Sequence, residues 1–155
     1  MLKILMILLL TGCGSFPATQ GPFLDPEIRE YYYEFIDEAN ARGHIIEPIP
    51  GIISVDRNLP VDAEGICDAV GLTNALDDAL MYKITVRPYD AFAGYEFQDD
   101  VHKMVVIHEL GHCLLGISHT EESCQIMNPA TDYFGPECMP YDWDKLYTDM
   151  LGERK

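Results

Sequence analysis

The feature that most constrains this chain is a polar triad set inside an apolar segment. Residues 101–115 read VHKMVVIHELGHCLL, and His108, Glu109 and His112 stand among the valines, leucines and methionine. An unpaired polar group costs roughly 2–7 kcal/mol to bury, so a fold that hides this stretch must give the triad something to bind. On an α-helix, positions four apart lie about 40° apart around the axis, which lets the imidazoles of His108 and His112 reach one point. Glu109 lies about 100° round from His108, beside that point rather than on it. Two imidazoles with a carboxylate alongside suit a zinc ion that keeps a coordination position open. Water bound to such an ion has a pKa near ~7, and the neighbouring carboxylate can take its proton.

The residues that follow strengthen this reading. Gly116 can turn the chain through a left-handed conformation after the helix. His119 comes three residues later and supplies a third imidazole, and Met127 follows in Ile126-Met127-Asn128-Pro129. This arrangement resembles the metzincin clan of zinc metallopeptidases, which carry H-E-x-x-H-x-x-G-x-x-H followed by a methionine-containing turn beneath the metal. The resemblance implies a Zn2+ cofactor held by His108, His112 and His119, with Glu109 as catalytic general base and Met127 as the Met-turn residue. One departure stands out. Cys113, Leu114 and Leu115 fill a gap that the family usually makes with two residues, so Gly116 and His119 are each displaced by one. Glu121, Glu122 and Asp132 are the other acids near enough in sequence to act as third ligand, but none stands in a motif of another zinc-peptidase clan. Tyr133 sits farther past the methionine than the oxyanion-stabilising tyrosine of astacins.

Elsewhere the periodicities define an α+β domain. Asp25 can cap and Pro26 can open a first helix in which Ile28, Tyr32, Phe35, Ile36 and Ala39 recur at helical spacing, with Gly43 as its stop. Residues 51–55 (GIISV) and 82–87 (YKITVR) read as strands, separated by a Gly- and Asp-containing connection, and 91–97 (AFAGYEF) alternates weakly enough to be another. The central helix starts at Asp99 or Asp100, whose carboxylates suit a helix N-terminus, and a last helix starts at Asp142 with Trp143, Leu146, Tyr147 and Met150 on one face. The fold class is therefore α+β, a small mixed sheet with an active-site helix and a C-terminal helix, and the metzincin resemblance implies a zincin-like metallopeptidase fold. In that family an extended peptide pairs with a sheet edge shortly before the active-site helix, and Ala91–Phe97 is the segment so placed. His44 and His102 read as surface or cap residues.

The N-terminus sets the compartment. Lys3 precedes an apolar run from Ile4 to Leu10, far shorter than the roughly 20 residues of a membrane span and suited to a signal peptide. The run ends in Leu10-Thr11-Gly12-Cys13, which resembles a bacterial lipobox. That resemblance implies cleavage before Cys13 and lipidation of its thiol. It divides the chain into a signal peptide (1–12), a lipidated cysteine and tether (13–24) and the peptidase domain (25–155). Gly14 and Ser15 after the cysteine resemble an outer-membrane sorting signal, so the expected location is the cell envelope, on the periplasmic face of the outer membrane or at the cell surface. In an oxidising space the four further cysteines, Cys67, Cys113, Cys124 and Cys138, are disulfide candidates with three full pairings. Cys124 and Cys138 bracket Met127 and would clamp that turn, leaving Cys67 for Cys113. Cys67 as a removable zinc ligand is the rival role, but no recognisable inhibitory segment surrounds it.

The 26 acidic against 10 basic residues, a formal charge of -16, argue against nucleic-acid binding, which needs clustered Lys and Arg. Solubility is the plain reading of this acidity. The expected function is that of a lipid-anchored, monomeric, zinc-dependent metalloendopeptidase, with a peptide or protein substrate and the membrane, through Cys13, as its partners. The alternatives are a zinc hydrolase acting on cell-wall peptides and a lipid-anchored binding protein with a structural or vestigial metal site.

Overall fold

Residues with apolar side chains at helical spacing, and short β-branched runs between them, build the domain seen in a computed structural model, which describes residues 22–46, 51–60, 65–71, 80–95, 97–129 and 138–155. Helix α1 spans Arg29–Ala41 and buries Tyr32, Phe35 and Ala39. Helix α2 spans Gln98–Leu115 and is buried over most of its circumference, so it forms the centre of the domain. Helix α3 spans Trp143–Leu151 and buries Leu146, Tyr147 and Leu151. Strands β1 (Phe23–Leu24), β2 (Gly51–Val55), β3 (Gly65–Gly71) and β4 (Leu80–Val86) form one sheet in the order β1-β2-β4-β3. The first three strands in that order are parallel, and β3 closes the sheet antiparallel to β4, pairing Gly65 with Val86 and Cys67 with Ile84. Ile53, Ile84 and Val86 turn inward to a core shared with Ile28 and Phe35 of the α1 region and Val101, Met104 and Val105 of α2.

Buried charge joins the helices. Arg42, just past α1, is 2% exposed and donates to Glu38, to Asp144 Oδ1 at 3.1 Å and to Thr148 Oγ1 at 3.4 Å, which fixes α3 against α1. Lys103 of α2 pairs with Glu34 at 2.5 Å and lies 3.8 Å from the Trp143 ring centre. Asp142 caps α3 by accepting from the Lys145 backbone N–H at 3.1 Å, as its position in the sequence predicts.

The cysteines pair Cys67 with Cys113 and Cys124 with Cys138, the combination favoured by the sequence. Their separations of 46 and 14 residues correspond in the chain-entropy picture to about 4 and about 3 kcal/mol of stabilisation. The first bond ties the terminal strand β3 to α2, and the second holds the segment around Met127.

Several expectations need correction. Asp25 does not cap α1: its Oδ1 accepts from the Glu27 N–H at 3.0 Å and its carbonyl from Ile28 at 3.2 Å, so the Asp-Pro signal serves a turn and the helix begins at Arg29. The described residues of the Ala91–Phe97 segment form no strand of the sheet. Tyr89–Phe92 is a 3-10 turn set up by Pro88, which lacks an N–H, and Gly94 at φ +115° bends the chain before α2. β3 lies in the stretch read as a connection, because GICDAVG carries no β-branched alternation strong enough to announce it. His102 is fully buried, with Nε2 3.1 Å from the Arg87 carbonyl and the rings of Tyr31, Tyr89 and Phe92 around it. His44 does act as a cap, its Nε2 donating to the Leu151 carbonyl at the end of α3, at 2.7 Å. Phe23 and Leu24, read as the end of the tether, form β1. Cys13, the signal segment, Asp132 and Tyr133 lie outside the described residues. Among the described residues no helix is long and apolar enough to cross a membrane.

Candidate metal centre

The last two turns of α2 carry the site. His108 and His112 project from one face, and Gly116 at φ +64° ends the helix in the left-handed conformation that glycine adopts without strain. The C-terminal end is closed by two bonds, from Gly116 N–H to the His112 carbonyl and from Ile117 N–H to the Gly111 carbonyl, both 3.1 Å. The chain then doubles back and brings in His119. The three Nε2 atoms form a triangle with sides of 2.9 Å (His112–His119), 3.0 Å (His108–His112) and 3.2 Å (His108–His119). The residue inserted before Gly116 is thus absorbed by α2, and the third imidazole arrives with the others.

The tautomers follow from the other ring nitrogens. His108 Nδ1 lies 2.6 Å from the Ile126 carbonyl and His112 Nδ1 2.6 Å from the Ile117 carbonyl, so each Nδ1 must carry its proton and donate. With both rings neutral, each Nε2 presents a lone pair to the other across 3.0 Å. Two facing lone pairs repel unless a cation stands between them. Zinc about 2.0–2.1 Å from three nitrogens at tetrahedral angles would space them about 3.3–3.4 Å apart, a few tenths of an ångström beyond the observed triangle. His108, His112 and His119 thus form a group that can hold a metal ion, grading from buried to exposed along that series.

Electrostatics favours the ligand forms. Burial pushes His108 down to about 4, with its neighbours His112 and His119 contributing, and the same two causes lower His119. For His108 and His119 both shifts favour the neutral ring that a metal ligand must be. Glu109 is 7% exposed, and burial pushes its carboxyl from an ordinary 4.5 up to about 7. A proton acceptor with a pKa near the working pH is well matched to general acid–base chemistry.

The loop after α2 is the scaffold for the ligands. Ile117 and Ile126 supply the carbonyls that orient two histidines, and the Thr120 N–H donates to the Met127 carbonyl at 3.0 Å, tying the His119 strand of the loop to the methionine turn. Asn128 is buried and donates from Nδ2 to the Glu122 carbonyl at 2.9 Å. Met127 is buried beneath the helix: a Cβ on Gly111 would meet its Sδ at 2.9 Å and Met150 Cε at 2.3 Å. Gly111 is therefore what lets Met127 press against α2.

Of the site residues named from the sequence, the structure brings His108, His112 and His119 together and joins the four cysteines as two disulfides, while Met127 lies against Gly111 and Glu109 against Gly65. Glu121 and Glu122 do not join the metal-ligating group. The sequence reading missed the orienting carbonyls, which carry no side-chain signature, and Gly65, whose backbone lies against Glu109. No protein-family model, curated protein or solved structure matches the chain.

The opposite shifts of His108 and Glu109 make the stability of the metal-free protein depend on pH in a separable way. A raised folded pKa means that Glu109 stabilises the fold fully below about 4.5, and that this contribution is lost as pH rises through about 7. The depressed His108 works the other way, its contribution full above 6.5 and lost as pH falls through about 4. Glu109→Gln removes the first effect alone. In urea titrations with chelator, the variant should gain on the wild type by up to about 3 kcal/mol above pH ~7 and match it below pH ~4.5. A margin independent of pH would mean that Glu109 is not charged at a cost in the fold.

Proposed function

We propose that this chain is a zinc-dependent metallopeptidase of the metzincin-like kind, with His108, His112 and His119 as zinc ligands and Glu109 as general base. The observation that carries this reading is the convergence of three Nε2 atoms with a buried carboxylate on the next helical position. A purely structural metal site needs no such carboxylate, whereas hydrolysis does. Zinc held by these three histidines would supply Lewis acidity that polarises a carbonyl and makes water nucleophilic near neutral pH. Glu109 would accept a proton from the attacking water at a carboxylate oxygen as the water oxygen bonds to the carbonyl carbon, and return it to the leaving amine as the C–N bond breaks. The burial that raises its pKa also keeps bulk water from competing for the proton.

Substrate placement is assigned to β3 in place of Ala91–Phe97. Among the described strands it is the terminal one, it passes over Glu109 at Gly65, and the main-chain groups of its outer edge suit pairing with an extended peptide. Zinc and chelator should switch cleavage of a peptide library on and off. Glu109→Gln should lower kcat/KM by about 10²–10⁴-fold with one metal still bound per chain. Retained cleavage, or loss of metal with the substitution, would contradict the assigned roles.

We further propose that Cys13 carries a lipid that anchors the domain to a membrane of the cell envelope, a reading supported by the Leu10-Thr11-Gly12-Cys13 motif. Labelling with a radioactive fatty acid in a bacterial host should be lost in Cys13→Ser, and labelling that persists would remove the anchor from the account.

A further inference from the structure

Two successive inward-facing positions of β3 touch α2. At the first, a Cβ built on Gly65 would stand 2.5 Å from Glu109 Cγ, 2.7 Å from Oε1 and 2.8 Å from Cδ, separations that bonded neighbours alone could keep. At the second, Cys67 is covalently joined to Cys113. Two residues of strand advance about 6.6 Å, and the four helical residues from Glu109 to Cys113 advance about 6.0 Å. Strand and helix therefore run in step past each other. The disulfide joins the strand to the helix two residues from the carboxylate contact.

We propose that Gly65 is a positioning residue for Glu109, with the Cys67–Cys113 bond as the pin that gives it force. The missing side chain sets how closely the strand lies over the general base, and hence where its carboxylate stands relative to a peptide on the β3 edge. Any side chain at residue 65 displaces the carboxylate, because the pinned backbone cannot yield. The kinetic consequence rests on the peptidase reading, but the contact itself does not.

The test is Gly65→Ala in three backgrounds: wild type, Glu109→Ala, and Cys67→Ala/Cys113→Ala. In the metal-free proteins, Gly65→Ala should lower the urea midpoint of the wild type but have far less effect in Glu109→Ala, where the atoms it meets are gone. An equal loss in both overturns the contact. In the zinc-loaded proteins, Gly65→Ala should cut kcat about 10²-fold, as a misplaced catalytic group does, with one metal per chain and KM changed about twofold or less. In the disulfide-free background the strand can yield, so the same substitution should cost only a small part of that loss. Equal losses with and without the disulfide overturn the pin, and an unchanged kcat in the otherwise wild-type protein overturns the positioning role. Should the disulfide-free protein fail to fold, the cycle with Glu109→Ala and the kcat of the single variant still decide. A wild type that cleaves no peptide overturns the peptidase reading instead, and the stability cycle then judges the contact alone.

Discussion

Two imidazoles that face each other lone pair to lone pair are the constraint on which the site depends. His108 and His112 each donate an Nδ1–H to a backbone carbonyl, so in the neutral rings the Nε2 atoms face each other 3.0 Å apart as acceptors. Burial makes protonation costly and holds His108 well below its ordinary value. A metal ion is the partner that resolves both problems at once, since it takes the lone pairs and needs the neutral rings. The loop from Gly116 to Asn128 follows from this requirement: it supplies both carbonyls, delivers His119, and seats Met127 under Gly111.

The rest of the domain holds that arrangement still. Helix α2 is surrounded by the sheet and α1, so the site stands on the most buried element of the structure. The disulfides act at its two sides, one joining β3 to α2 one residue past His112, the other closing the segment that contains Ile126 and Met127. Two of the three histidines stand on this helix, and the disulfide that starts at Cys124 holds the segment whose Ile126 carbonyl orients His108. On the proposed reading, the same framework keeps Glu109 at a fixed distance from the strand that receives substrate.

Much of the centre was legible in the sequence because its side chains carry the signal. The four-residue spacing of His108 and His112, the glycine at 116 and the methionine at 127 each reflect a local geometric need. What was not legible depends on backbone. The carbonyls of Ile117 and Ile126 exist in every residue, and only the path of the loop aims them at the histidines. Strand β3 was hidden because its sequence is short of β-branched residues and its place is secured by pairing with β4 and by Cys113, both distant in sequence. Ala91–Phe97 misled for the converse reason: its weak alternation fits a strand, but Pro88 and Gly94 impose a turn. His102 looked like a surface residue because nothing in its neighbours announces the aromatic pocket that encloses it.

Whether three imidazole nitrogens hold one metal ion can be read by X-ray absorption at the zinc edge, on protein loaded with one equivalent of zinc. The spectrum should show three imidazole nitrogens at about 2.0–2.1 Å and one further light atom, with no sulfur in the shell. A shell of six oxygens, a zinc–sulfur distance near ~2.3 Å, or failure to retain stoichiometric zinc would contradict the three-histidine site.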